Sequence, residues 1–437
     1  MKNNKSNFSK YLVSGVAALA LSAGLASGAS AAENGKFRVG IVTFLSGPAA
    51  GPFGVPSANA AKVLVEALNK GDVPAPYNKM GINGLEIEAV IIDEAGSATK
   101  QVEEYRNLVQ RQKVDAVIGY VSSGDCLAIA PVAEELKTFT IAYDCGTPRL
   151  FADNADAQYM FRTGLDASVD NIGAVRYLAA TRPDVTRLSG IQQNYSWGQD
   201  SWADFTAAAA KLLPDAEIVE EQFPKIYQGQ YGAEISALSV KRPEIVHSSF
   251  WGGDMEALVL QANARGLLED ATGLLTCGEA SFANYKDQAP NGMIIGARGP
   301  FGAFAPNNEL NTWFKGVYNA AYDLDPVYPA TKMVQAILGL KFAAENAGVA
   351  DKEIPTAEQL ASGIKGATFE SVSGTVEMAR ANGHQAMQGI TYGQYHYEDG
   401  KASIVNAVSF DGECVTPPEG VDAATWISEG FPGATCN

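Results

Sequence analysis

The sequence predicts an α/β protein of two lobes, each a parallel sheet covered by helices on both faces. Short β-branched or apolar runs alternate with stretches of helical periodicity, the pattern of strands buried between helices. The series begins again after about residue 162, and the roughly 405 residues left after an N-terminal leader are more than one hydrophobic core usually holds. No repeat of fixed period appears, which argues against a solenoid.

The chain opens with Lys2, Lys5 and Lys10, runs through an Ala-rich apolar stretch from Tyr11 to about Ser27, and reaches "GASAAENG". That is the layout of a secretory signal peptide over residues 1–32, cut near Ala32. Gly and Ser interrupt the stretch, which argues against a retained anchor, and the junction has no Cys to carry a lipid. No other segment is apolar and long enough to span a bilayer. The expected destination is the periplasm.

Strands are then expected at "FRVGIVTFL" from Phe37, "LEIEAVII" from Leu85, "VDAVIGY" from Val114 and "TFTIAY" from Thr138. Helices fall between them at Ala58 to Leu68, Lys100 to Gln112 and Ala128 to Leu136. A second series starts at "TGLDASVDNIGAVRYL", with strands at "VTRLSGIQ" from Val185 and "EIVHSSF" from Glu244, and ends near "GMIIGA". Long helical patterns from Asn308 to Tyr322 and from Pro329 to Ala347 follow, and the tail after Gly374 looks short-stranded and hairpin-like. The expected division is 33–162 with 296–372 for one lobe and 163–295 with 373–437 for the other. Repeated crossings between lobes would form a hinge.

The full chain carries 32 basic and 49 acidic residues; losing the three leader lysines leaves 29 against 49, a charge of −20. Nucleic acid and anionic membrane surfaces are disfavoured partners for such a surface. In an exported chain thiols tend to oxidise. Cys126 and Cys145 flank one predicted helix and Cys414 and Cys436 bracket the Pro/Gly-rich tail, so these are the expected pairs, with Cys277 free. There is no C-x-x-C, and His247, His384 and His396 are far apart, so nothing supports a redox or zinc site. The sequence also lacks G-x-G-x-x-G, G-x-x-x-x-G-K-[ST], H-E-x-x-H and G-x-S-x-G, so it gives an enzyme no support and calls for no cofactor.

Ligands of open α/β sheets sit outside the carboxyl ends of the strands, and five such ends stand out. In "GYVSSGDC", Ser122, Ser123 and the N–H groups of the following helix could cradle a carboxylate, or Ser122 could be a plain N-cap. Asp125 would favour the helix dipole but repel an anion unless it points away. In "IAYDCGTP", Asp144 could meet an ammonium, while Gly146 and Thr147 belong to the turn before Pro148. Trp197 in "NYSWGQD" and Trp251 in "SSFWGGDM" are large aromatics on loops, either aromatic walls for a ligand or ordinary packing. Glu279 in "LLTCGEASF" is the best candidate for a ligand amine. Asp93 and Glu94 are expected to cap a helix or face water.

Together these segments resemble the branched-chain amino-acid (leucine/isoleucine/valine-type) periplasmic binding proteins of ABC importers. The likeness runs from about Phe37 to Gly400 through "VGIVTFLSGPAAGPFG", "VIGYVSSG", "TPRLF", "FRTGLD" and "LVLQANARGLL". The resemblance implies the type I fold, two Rossmann-like lobes joined by three crossover strands and closing on a small molecule. By position it implies that Ser122 and Ser123 hold a ligand carboxylate, that Asp144 to Thr147 receive carboxylate and amine, that Trp197 and Trp251 line the pocket, and that Glu279 binds the α-ammonium. It implies an inner-membrane ABC permease as partner, and a monomer is the expected working form. "YDCG" departs from the small Ala/Thr run of amino-acid binders, and Asp125 and Asp144 add negative charge. Those departures and the two Trp would also suit a more cationic or a bulkier ligand than an aliphatic amino acid. Because Ser122, Ser123 and Glu279 would bracket a zwitterion, an amino acid or amino-acid-like solute is the leading ligand, with amides or urea, aromatic acids and quaternary amines as alternatives. A periplasmic sensor sharing the fold, or an exported enzyme using Glu279 or Asp144 as base, are the other classes.

Overall fold

The computed structural model describes residues 35–436, so the leader and its cleavage point near Ala32 lie outside the described residues. Two mixed sheets, mostly of parallel strands, form the frame. The first holds β1 (Lys36–Thr43), β2 (Glu86–Asp93), β3 (Ala116–Gly119), β4 (Thr140–Ala142) and β5 (Met160–Arg162), joined late in the chain by β11 (Thr368–Ser371), β12 (Gly374–Arg380) and β13 (Gln385–Met387). Its order is β11-β12-β13-β5-β4-β3-β1-β2, with β1 to β5 parallel. The second holds β6 (Arg187–Ile191), β7 (Glu217–Gln222), β8 (Ile245–Ser248), β9 (Thr272–Leu275), β10 (Ile294–Gly296), β14 (Ile390–Glu398) and β15 (Lys401–Phe410). Its order is β15-β14-β10-β9-β8-β6-β7, the last two strands being an antiparallel hairpin on its edge.

The central strands are buried along their length, as expected where helices cover both faces: β3, β4 and β8 have no exposed residue. Strand β12, second from the edge, instead alternates outward and inward, with Val376 and Met378 in the core. The helix Tyr328–Glu345 is buried almost all round and packs against the helix Val55–Lys70 of the first lobe.

The chain passes between the sheets after Arg162, after Gly296 and between Met387 and Ile390. The last crossing is later than the sequence division at 372/373. Strands β12 and β13 stay with the first sheet because the β11–β12 hairpin faces its core and Gln385 of β13 pairs with Arg162 of β5. The cysteines bond as 126–145 and 414–436, and Cys277 is free and buried.

Candidate functional site

The carboxyl ends of β3, β4, β6, β8 and β9 converge on a cavity between the lobes. Its first-lobe wall is Val121 and Ser123 after β3, Asp144 and Gly146 after β4, and Phe53 from the loop after β1. Its second-lobe wall is Tyr195 and Trp197 after β6, Trp251 after β8 and Cys277 after β9. Arg298, just past the second crossing, and Tyr328, which opens a helix, complete it. The walls nearly meet, leaving about 10 Å³, so a solute enters only when the lobes part. The rings pack on one another: Phe53 lies 5.4 Å from both Trp251 and Tyr328, edge to face.

Beneath the rings lies a buried cluster of four charges. Arg298 donates to Asp144 Oδ1 at 2.7 Å, to the Asp144 carbonyl at 2.6 Å and to Asp170 Oδ2 at 3.0 Å. Lys332 donates to the same Asp144 Oδ1 at 2.9 Å. Two acids balance two bases, the condition under which buried charges persist. Burial pulls the Lys332 ammonium below its usual range, and the neighbouring guanidinium pulls it the same way, while both aspartates oppose them. The Arg298 guanidinium also lies 4.3 Å from the Trp197 ring, whose Nε1 donates to the Ser249 carbonyl at 2.7 Å. One acceptor is left over: Asp144 Oδ2 is buried at the cavity and has no hydrogen-bond partner among the described residues.

Of the residues expected from sequence, the structure brings Ser123, Asp144, Gly146, Trp197 and Trp251 together on this cavity. Ser122, Thr147 and Glu279 do not line it. The Ser122 hydroxyl accepts from Asp125 N as an N-cap, and its own N–H, with that of Val121, is taken by the Glu94 carboxylate at 2.8 Å each. A fully buried internal carboxyl thus occupies part of the anion cradle expected for the ligand. Burial holds that carboxyl well above its usual range, helped by Asp125 and Asp144, against the two N–H bonds. The N–H groups of Ser123 and Gly124, further along the helix start, have no acceptor among the described residues. The Thr147 hydroxyl donates to Asp200, and the Thr147 N–H reaches Ser123 Oγ.

Glu279 also stands outside the lining. Its carboxylate accepts from Ala303 N and Tyr328 N, both at 2.7 Å, and so fixes the start of the helix Tyr328–Glu345. Burial pushes it up to about 7 despite those two bonds. Arg298, Lys332, Asp170 and Tyr328 were missed because they come from a crossing and from helices far along the chain. A lone Lys and a lone Arg within apolar runs, "GARGP" and "YPATKMV", were the available signal.

Among the described residues no cluster of His, Cys, Asp and Glu is arranged for a metal, and no helix is long and apolar enough to cross a membrane. A family model described as periplasmic binding protein matches residues 36–401. The chain belongs to the periplasmic binding protein family. The resemblance read from the sequence holds, and three relatives of this periplasmic binding protein show its span. The leucine-specific-binding protein of Salmonella typhimurium is 26% identical over 289 residues, 65% of this chain and 72% of that one. A solute-binding protein of an ABC transporter from Rhodopseudomonas palustris, solved with 3,4-dihydroxybenzoic acid, superposes with a TM-score of 0.73 at 20% identity, covering 86% of this chain and 98% of that chain. The branched-chain amino-acid transporter substrate-binding protein of Streptococcus pneumoniae, solved with isoleucine, gives 0.69 at 17% identity over 86% and 99%. Both likenesses establish the type I fold, and the cavity described here lies in the cleft between its lobes.

Proposed function

We propose that this protein is the exported solute-binding component of an ABC importer, taking an amino acid or amino-acid-like solute between its lobes and presenting the closed form to an inner-membrane permease. It works as a monomer, delivered to the periplasm by a leader cut near Ala32. The observation that carries the ligand class is the unpartnered Asp144 Oδ2, buried at the cavity near a helix start whose Ser123 and Gly124 N–H groups are uncommitted. A carboxylate suits those N–H groups and the helix dipole, and an ammonium suits the aspartate oxygen. In this reading Asp144 takes the part that the sequence resemblance gave to Glu279. Ligand stabilises closure by its greater affinity for the closed state.

A second ligand reading, an aromatic acid, is favoured by the rings of Phe53, Tyr195, Trp197, Trp251 and Tyr328 around one guanidinium. Calorimetric titration of ligand-stripped protein separates the two. On the amino-acid reading, neutral amino acids bind and their deaminated carboxylic acids bind about ten- to a hundredfold more weakly, the loss of a hydrogen bond to a charged group. Benzoates binding where amino acids are silent would replace the first reading with the second.

A further inference from the structure

The cleft has a second chamber, separated from the first by Tyr195, whose hydroxyl accepts from Trp251 Nε1 at 2.6 Å. It measures about 360 Å³ and lies over the carboxyl ends of β1, β2 and β3 and of β6 and β7, towards the outer edges of both sheets. Phe44 and the loop Ser46 to Ala49 face Ile226 and Tyr227 across it, with Asp125 in its floor.

The chemistry of this chamber is the reverse of an anion site. Asp125 is only 6% exposed, its polar neighbour is the Ser122 hydroxyl, and no Lys, Arg or His pairs with it among the described residues. Burial pushes its carboxyl up to about 6. Glu94 lies behind it, Asp93 holds Leu45 N and the Ser46 hydroxyl at the rim, and Asp254 holds Tyr227 N. Lys100, beside Gly96 of the lining, turns its ammonium to the Ala95 carbonyl on the exposed side. Phe44, Tyr195 and Tyr227 supply π faces. A buried acid without a counter-ion, in a cavity with aromatic walls, is stabilised by a cation brought by the ligand.

We infer that the outer chamber receives the positively charged side-chain end of the solute, so that the preferred ligand is a basic amino acid or a similarly extended cationic amino-acid-like molecule. The inference rests on the amino-acid reading above and adds the far end of the molecule. The α-carboxylate and α-ammonium stay in the inner cavity, and the side chain passes Tyr195 to reach Asp125.

The test compares L-lysine with L-norleucine, which lacks the terminal ammonium, by calorimetric titration of the wild-type chain, Asp125→Asn and Tyr227→Leu. Tyr227 is partly exposed, so its replacement keeps the test open if the aspartate variant fails to fold. Lysine is expected to bind the wild type at least about tenfold more tightly, and each variant to cut that ratio below about threefold. Norleucine binding as tightly as lysine, or Asp125→Asn weakening both ligands alike, overturns the inference and leaves the amino-acid reading standing. Failure of both ligands to bind the wild type overturns the two together.

Discussion

Gly146→Ala should oppose closure of the cleft and also strain the first lobe. A Cβ on Gly146 would stand 2.8 Å from Trp197 Cε3, and nearer still to Trp197 Cζ3 and Arg298 Nη2. Ordinary carbon contacts lie at about 3.5–4.0 Å, so the overlap is about 0.7 Å or more. Neither neighbour can yield cheaply: the indole is tied to the Ser249 carbonyl and the guanidinium to Asp144 and Asp170. Overpacking of this kind costs about 1–3 kcal/mol. Gly146 belongs to the first lobe and Trp197 to the second, so the clash with the indole exists only when the lobes close, whereas Arg298, bonded to Asp144 two residues from Gly146, meets the added Cβ in either state. The indole's share of the cost falls on ligand affinity, a loss of up to about 150-fold. Titration calorimetry measures that loss. Small-angle scattering of the ligand-saturated variant should show a larger radius of gyration than the saturated wild type, while urea unfolding of the unliganded chains reads the share due to Arg298, at most about 3 kcal/mol. Wild-type affinity in the variant would refute the closed-cleft geometry on which the site rests.

Glu279→Gln replaces an acceptor of two N–H groups by one acceptor and one donor, so it should lose about 1.5–3 kcal/mol in urea unfolding. Solute affinity should change less than about threefold, and a larger loss of affinity than of stability would restore the carboxylate to the ligand. Ser123→Ala should weaken solute binding, because that hydroxyl lines the cavity and anchors Thr147 N. Ser122→Ala should cost only the N-cap, about 0.5–2 kcal/mol of stability, which titration and unfolding separate. The melting temperature should be higher at pH 5.5 than at pH 8. Burial raises Glu279 and Asp204 to about 7 and Asp115 and Asp125 to about 6, so the folded chain takes up protons that the unfolded chain does not bind until near pH 4. Buried His247, lowered to about 3, opposes this below about pH 6.5. A melting temperature that falls steadily from pH 8 to 5.5 would contradict the burial of these carboxyls.

The frame was legible because buried strands and amphipathic helices write their periods into the chain. The runs from Phe37, Leu85, Val114, Thr138, Val185 and Glu244 all lie on strands, and the helical patterns from Ala58 to Ala347 lie on helices. Strand ends pointed to Ser123, Asp144, Gly146, Trp197 and Trp251, because position at a strand end is a local property. What the side chains do there is not local. The competition of Glu94 for the helix N–H groups links residues 28 apart, and the Lys332–Asp144 pair links residues 188 apart. No window of sequence shows either. The N–H groups that Glu279 accepts from were hidden for the same reason: Ala303 and Tyr328 arrive only after the chain has returned to the first lobe. The last crossing was placed early because a short antiparallel strand such as β12 can belong to either sheet until its partners are known.

The two cystine bridges bear on when this molecule becomes complete. They join residues 19 and 22 apart, and loops of that size restrict the disordered chain by about 3 kcal/mol each. Together that is comparable with the whole margin of a typical domain, about 5–15 kcal/mol. A polypeptide held in a reducing compartment lacks both ties and is easier to thread unfolded through a translocation pore; oxidation on the far side then makes the folded form hard to reverse. Cys145 stands between Asp144 and Gly146, and Cys126 lies on the helix that begins at Ser123. The bridge that locks the first lobe therefore also finishes the wall of the cleft, so on the proposed export route the competence to capture a solute would follow oxidation.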